Sequence, residues 1–215
     1  MASTCVYANM KALAIISQKG GAGKTTIALH LAVAAVYDGK STAIIDLDPQ
    51  ASAASWGDSR EGENPSVIST QPSRLDKVLD AANNAGADLA IIDTAPHSES
   101  ASLAAARVAD YILVPCRPAI LDIRAISHSI DLVKLAGKPA SIVLNTVPPR
   151  GSLAEEAAAA VETYGFPVCP VHIGQRAAFL HALTAGMTAQ EYEPQGKAAE
   201  EISRLYKWMC KHVDM

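Results

Sequence analysis

Residues 18–26 read Gln18-Lys19-Gly20-Gly21-Ala22-Gly23-Lys24-Thr25-Thr26, between an apolar run at 12–17 and a stretch of helical character beginning at residue 24. Glycines let a backbone turn through positive φ and approach a ligand closely. Successive N–H groups then converge on one concavity, and the N-terminus of the following helix adds positive potential, so the pocket suits phosphate. Gly20, Gly21, Ala22, Gly23, Lys24, Thr25 and Thr26 form this cradle, with Lys24 on the β- and γ-phosphates and the Thr25 hydroxyl on Mg²⁺. The strict pattern G-x-x-x-x-G-K-[ST] fails at its first position, Gln18. The loop reads K-G-G-x-G-K-T-T instead, and the departure adds a second lysine, Lys19.

Two further segments supply carboxylates. One strand ends Ile44-Ile45-Asp46-Leu47-Asp48-Pro49-Gln50 and another ends Ile91-Ile92-Asp93-Thr94-Ala95-Pro96. Phosphoryl transfer needs little covalent chemistry from a protein, but it needs Mg²⁺ held and a water aligned. An apolar strand closing on one aspartate has the Walker B pattern, so Asp93 is a metal residue, acting through water. Asp46 and Asp48 stand at a second strand tip suited to the same work, the alternative being that Asp48-Pro49 merely makes a turn.

Outward from the loop, short apolar runs at 12–17, 42–46, 89–93, 111–115 and 141–145 alternate with helical segments at 24–38, 73–86, 98–108, 120–136, 152–164, 176–184 and 197–212. Weaker strands are expected at 66–69 and 168–171. Runs apolar throughout imply strands covered on both faces. The alternation predicts one α/β domain over 11–215: a doubly wound, mostly parallel sheet with helices on both faces. Ser73 and Ser152 are expected N-caps, Ser152 at capping-box spacing from Glu155. Residues 1–10 read as a loose extension, with Met10 an alternative start. Ligands of such sheets bind beyond the carboxyl ends of the strands, where Asp46, Asp93 and Asn145 stand.

Composition narrows the function classes. No apolar run approaches the ~18 residues that span a bilayer, and no basic-then-apolar leader opens the chain, so a cytoplasmic protein is expected. Cys5, Cys116, Cys169 and Cys210 stand far apart without a C-x-x-C pair, and His30, His97, His128, His172, His181 and His212 show no ligand spacing. This pattern implies reduced thiols and no zinc or iron–sulfur centre. Trp56 and Trp208 read as packing residues.

With Lys19 and the D-x-D-P-Q segment, the chain resembles the ParA/MinD family of deviant Walker A P-loop ATPases, and most of all the small plasmid-type ParA partition proteins. The likeness covers roughly 11–208 and includes Val114-Pro115 with Pro118, and Ile173-Gly174-Gln175-Arg176. It implies ATP and Mg²⁺ as cofactors, with Lys19 reaching across a nucleotide-sandwich homodimer in the manner of an arginine finger supplied in trans. Lys19, Lys24 and Asp48 are then the catalytic set, Asp48 orienting the attacking water, and Asp46 joins Thr25 and Asp93 around the metal. Asn145 either reads the adenine edge or starts a turn before Pro148-Pro149. Further implications are non-specific DNA as partner, a ParB-like or other adaptor that stimulates hydrolysis, and nucleoid association of the ATP form. With no helix-turn-helix segment ahead of the loop, reading of one DNA sequence is not expected. The alternatives are a MinD-like membrane-associated ATPase, which needs an amphipathic C-terminal helix on lipid, and an iron–sulfur carrier, which needs bridging cysteines.

Non-specific DNA binding needs cations aimed at phosphates. Arg204, Lys207 and Lys211 fall on one face of the last helix, and Arg150 and Arg176 precede helical segments. The set reads either as a DNA-facing patch or as a solvated surface, since Glu200 shares the face and the chain carries net charge −4.

Overall fold

A computed structural model describes residues 10–215. Of the expected extension, residues 1–9 with Cys5 lie outside the described residues. Met10 is buried and packs in the core, so the tenth residue belongs to the domain and not to the extension.

Six parallel strands form one sheet in the order β3-β2-β4-β1-β5-β6. They are β1 (Lys11–Ile15), β2 (Thr42–Asp46), β3 (Ser66–Ser69), β4 (Leu89–Asp93), β5 (Tyr111–Cys116) and β6 (Ala140–Leu144). The helices are α1 (Lys24–Tyr37), α2 (Ser52–Asp58), α3 (Leu75–Asn84), α4 (Glu99–Val108), α5 (Ile120–Ala136), α6 (Leu153–Glu162), α7 (Ala177–Thr184), α8 (Ala189–Tyr192) and α9 (Lys197–Val213). Strand residues alternate between two cores, as a pleated backbone requires. Ala14, Ile45 and Ile92 pack with α3, α4, α5 and α6 on one face. Leu13, Ile44 and Ile91 pack with α1, α2 and α9 on the other. The expected α/β architecture is therefore the one observed.

Strand order explains where a ligand goes. The chain leaves β1 with β4 on one side and β5 on the other, so the crevice at the tip of β1 is the switch point of the sheet. The glycine loop follows β1 directly. Asp93 pairs in register with Asp46 and with Ile15, so both strand-end aspartates flank the loop.

Three local expectations are corrected. The run at 168–171 makes only an isolated bridge, Ile142 to Val168. Ile142 N–H donates to Pro167 O and Cys169 N–H to Ile142 O, but Val171 N–H, the next donor on that side, turns to Cys169 Sγ, and Leu144 O accepts Ile173 N–H instead. Ser73 lies inside a 3-10 turn, Pro72–Arg74, and Arg74 takes the N-cap position of α3. Ser152 is at the N-cap of α6 without a side-chain cap bond, and its hydroxyl donates to Glu156 instead of pairing with Glu155. The reciprocal capping box lies elsewhere, where Thr188 and Glu191 close the start of α8.

Candidate nucleotide site

Gly21 (φ 70°) and Gly23 (φ 93°) both take the left-handed conformation that turns the loop into α1. At Gly23 a Cβ would both strain this backbone and run into Asn145 Nδ2. That nitrogen donates to Ala22 O at 2.7 Å, in a buried contact. Asn145 is thus seen bracing the phosphate loop from the tip of β6, a use that neither reading of it foresaw.

Lys24 is buried at the start of α1, and its ammonium donates to Lys19 O at 3.4 Å. Burial pulls its pKa below the ordinary value, against the opposing pull of Asp93 and Asp48. The Thr25 hydroxyl donates to Asp93 Oδ2 at 2.6 Å. Asp93 Oδ1 is buried with no hydrogen-bond partner. Burial pushes the Asp93 carboxyl up to about 7, with the Thr25 hydrogen bond opposing and the neighbouring Asp46 adding to the rise. A buried carboxylate oxygen without a donor, beside a threonine hydroxyl and a lysine, fits a divalent cation carrying phosphate. Thr25 and Asp93 are the residues that would hold it.

Asp46 is occupied differently. Its Oδ1 accepts Asp48 N–H at 2.9 Å, and its Oδ2 accepts Ala53 and Ala54 N–H at 3.0 and 3.1 Å. Burial raises its pKa, and these three N–H groups pull the other way. The carboxylate caps α2 from a distance and so ties down the loop that carries Asp48. Asp48 is half-buried and accepts Gln50 N–H on Oδ1 at 2.9 Å. Lys19 is exposed at the outer edge of the loop, where a cavity of about 780 Å³ is lined by Gln18, Lys19, His97 and Ser98.

The loops after three strands each hold a non-glycine residue at positive φ: Ala51 (51°), His97 (56°) and Thr146 (59°). Such conformations are costly for residues with a Cβ and cluster at functional sites.

Sequence reasoning missed the latch behind the loop. Arg60 makes a bidentate pair with Glu191 at 2.9 and 2.7 Å and lies over the Trp56 ring. His30, fully buried in α1, donates from Nδ1 to Thr26 O at 2.6 Å and accepts Ala189 N–H on Nε2 at 3.0 Å. These contacts fasten 186–191 to both α1 and α2. The signal available was Thr188-x-x-Glu191, a capping-box pattern. Arg117 was missed too. Its guanidinium rests against Gly21, and a lone arginine between Cys116 and Pro118 carries no motif.

Of the basic residues, Arg150, Arg204, Lys207 and Lys211 are exposed. Arg176 is not available in the same way: Nη2 and Nε pair with Glu201 at 2.7 and 3.2 Å. It is thereby withdrawn from the DNA-facing set. The apolar stripe of α9 is buried, with Ile202, Leu205, Tyr206, Met209 and Val213 all in the core. No helix among the described residues is long and apolar enough to cross a membrane. Burial pushes the Cys116 and Cys169 thiols up to about 12, with Asp122 adding at Cys116 and the Val171 N–H opposing at Cys169. Neither is poised as a thiolate ligand.

Comparison with known proteins agrees with this geometry. The chain is 28% identical over 204 residues to maintenance of carboxysome distribution protein A of Halothiobacillus neapolitanus, covering 90% of this chain and 93% of that protein. It is 30% identical over 210 residues to the protein of the same name from Gloeobacter kilaueensis, covering 95% and 94%. In fold it is similar to the septum site-determining protein MinD of Pyrococcus horikoshii complexed with Mg-ADP, with TM-score 0.75 and 18% identity over 94% of this chain and 96% of that one. The sequence model of the CobQ/CobB/MinD/ParA nucleotide binding domain matches residues 13–189, and the chain belongs to that family of ParA/MinD-like ATPases.

Proposed function

We propose that this protein is an ATP-dependent dimerising switch that positions cargo inside a bacterial cell. The observation that carries the reading is Lys19. It stands exposed on the phosphate loop, while Lys24 is turned in onto Lys19 O and Thr25 is paired with Asp93. A cation on the outer lip suits the phosphates of a nucleotide held by a second copy of the chain.

In this reading the loop N–H groups and Lys24 bind the phosphates of ATP. Thr25 and Asp93 would hold Mg²⁺, which when bound would supply charge neutralisation of the phosphates. Asp48 orients the attacking water through its Oδ2, which takes no hydrogen bond among the described residues. Asp46 keeps the Asp48 loop in place by its three backbone bonds, a supporting part in place of a metal contact. Asn145 holds the loop against collapse. In the ATP dimer the exposed Arg150, Arg204, Lys207 and Lys211 of both copies face DNA without sequence preference, and two weak patches gain by avidity. An adaptor on the cargo then stimulates hydrolysis and resets the switch. The two relatives named for carboxysome distribution favour a proteinaceous body as the cargo over a plasmid or chromosome.

The test is light scattering of Asp48→Ala protein with ADP and with ATP–Mg²⁺, repeated with non-specific duplex DNA. A dimer with ATP alone, which then binds duplex in a salt-sensitive manner, is the expected result. A monomer in every state would remove the dimer from the reading, and a dimer indifferent to DNA would remove the nucleoid.

A further inference from the structure

Arg117 opens the β5–α5 turn between two prolines, Pro115 and Pro118, so its main chain is stiff. The turn is also tethered. Cys116 O accepts Asn145 N–H at 2.8 Å, and the Cys116 thiol donates to Arg117 O at 3.3 Å. The side chain is exposed but not adrift, because its guanidinium lies on the phosphate loop. A Cβ built on Gly21 would be 3.3 Å from Arg117 Nη2 and 3.8 Å from Cζ.

No counter-charge explains this placement. The ion pairs among the described residues are Arg60–Glu191 and Arg176–Glu201, so those two arginines are neutralised where Arg117 is not. Asp122 lines the same crevice as Lys19 and Arg117 yet pairs with neither. The guanidinium therefore adds positive charge to a loop that already carries Lys19, Lys24 and the N-terminal end of α1. Asp93 and Asp48 act on Lys24, but no carboxylate among the described residues is bonded to Arg117, and a guanidinium matches phosphate in charge and in its forked geometry. Arg117 also lies on the Lys19 side of the loop, and Lys19 O in turn receives the Lys24 ammonium. Since the loop lysine of such a cradle reaches the β- and γ-phosphates, that side is where a terminal phosphate would lie.

We propose that Arg117 is a third cationic contact for the nucleotide, made to the terminal phosphate within the same subunit, and that it sets the preference for a triphosphate over a diphosphate. The proposal rests on the nucleotide-binding reading of the loop and on nothing about DNA or cargo.

Calorimetric titration of adenylyl imidodiphosphate and of ADP, each with Mg²⁺ and below the protein concentration at which scattering detects dimers, tests it. Arg117→Ala is expected to weaken the triphosphate analogue about tenfold, the loss of one charge-assisted hydrogen bond, and to leave ADP nearly unchanged. Arg117→Lys should recover part of the loss. Equal weakening of both nucleotides, or of neither, would overturn the proposal, since a residue that merely braces Gly21 does not tell the two apart. Lys24→Ala is the control: if it binds both nucleotides like the unaltered protein, the nucleotide reading of the loop falls, and this proposal with it.

Discussion

The Thr25 hydroxyl donates to Asp93 Oδ2 at 2.6 Å, which joins the first turn of α1 to the tip of β4, while Asp93 Oδ1 is left buried without a partner. The two residues are 68 apart in sequence, and the parallel sheet brings them together. One oxygen is committed to the protein and the other is free for a cation. Asp93→Asn should therefore fold normally but lose the Mg²⁺ dependence of nucleotide binding. Titrations with Mg²⁺ and with EDTA, which differ for the unaltered protein, are expected to coincide for the variant.

Asp48 and Lys19 separate hydrolysis from assembly. Asp48→Ala should bind ATP with about unaltered affinity and hydrolyse almost none, accumulating dimer. Lys19→Ala should bind ATP but fail to dimerise. Phosphate release and light scattering on the two proteins check both; hydrolysis by Asp48→Ala at the unaltered rate would end its role in aligning water.

Asn145 donates to Ala22 O and fills the space beside Gly23, so its loss should loosen the loop for every nucleotide. Asn145→Ala is expected to weaken ADP and GDP by the same factor. A change in the adenine-to-guanine ratio would instead restore the base-reading role.

His30 makes acid stability measurable. Burial lowers its pKa from 6.5 to about 4, against the Thr26 carbonyl and the Glu191 charge, which both favour the cation. Between those values the unfolded chain takes up the proton and the folded chain does not, so stability present above pH 6.5 is lost as pH falls towards 4. The loss amounts to about 3 kcal/mol. Because Asp93, with its raised pKa, pulls the opposite way over the same range, the His30 share is read as the difference in pH slope between the unaltered protein and His30→Gln in urea denaturation from about pH 7 to 4.5.

Arg60 and Glu191 form a largely enclosed pair. Glu191→Ala strands the guanidinium and should cost about 3 kcal/mol. Replacing both residues by apolar ones, Arg60→Met with Glu191→Leu, should cost less than the single change. Thermal melts of the three proteins decide it.

What was legible in the sequence was local. The glycine loop, the strand-end aspartates and the β–α alternation each declare themselves within a few residues, and the fold class followed from them. The parts that escaped depend on partners distant in sequence. The N-terminus of α2 is held by Asp46, outside the helix, while its own cap position is Ala51 in a left-handed conformation. Arg176 looked like a free cation until α9 brought Glu201 against it. Asn145 was placed at the right strand tip, but its contact with Ala22 spans 123 residues. The run at 168–171 failed because its next donor to the sheet, Val171 N–H, bonds Cys169 Sγ instead.

The buried stripe of α9 limits what the end of the chain can offer its surroundings. Leu205 and Met209 have no exposed surface, and each contributes about 1.5–3 kcal/mol by staying where it is. Pulling the helix away to dip into a lipid layer would open the core of the whole domain. What the helix presents outward is mostly charge, Lys197, Glu200, Arg204, Lys207 and Lys211, so whatever that face touches is held largely by forces that ionic strength can dial up or down. Such a grip is quick to release, as the proposed switch requires.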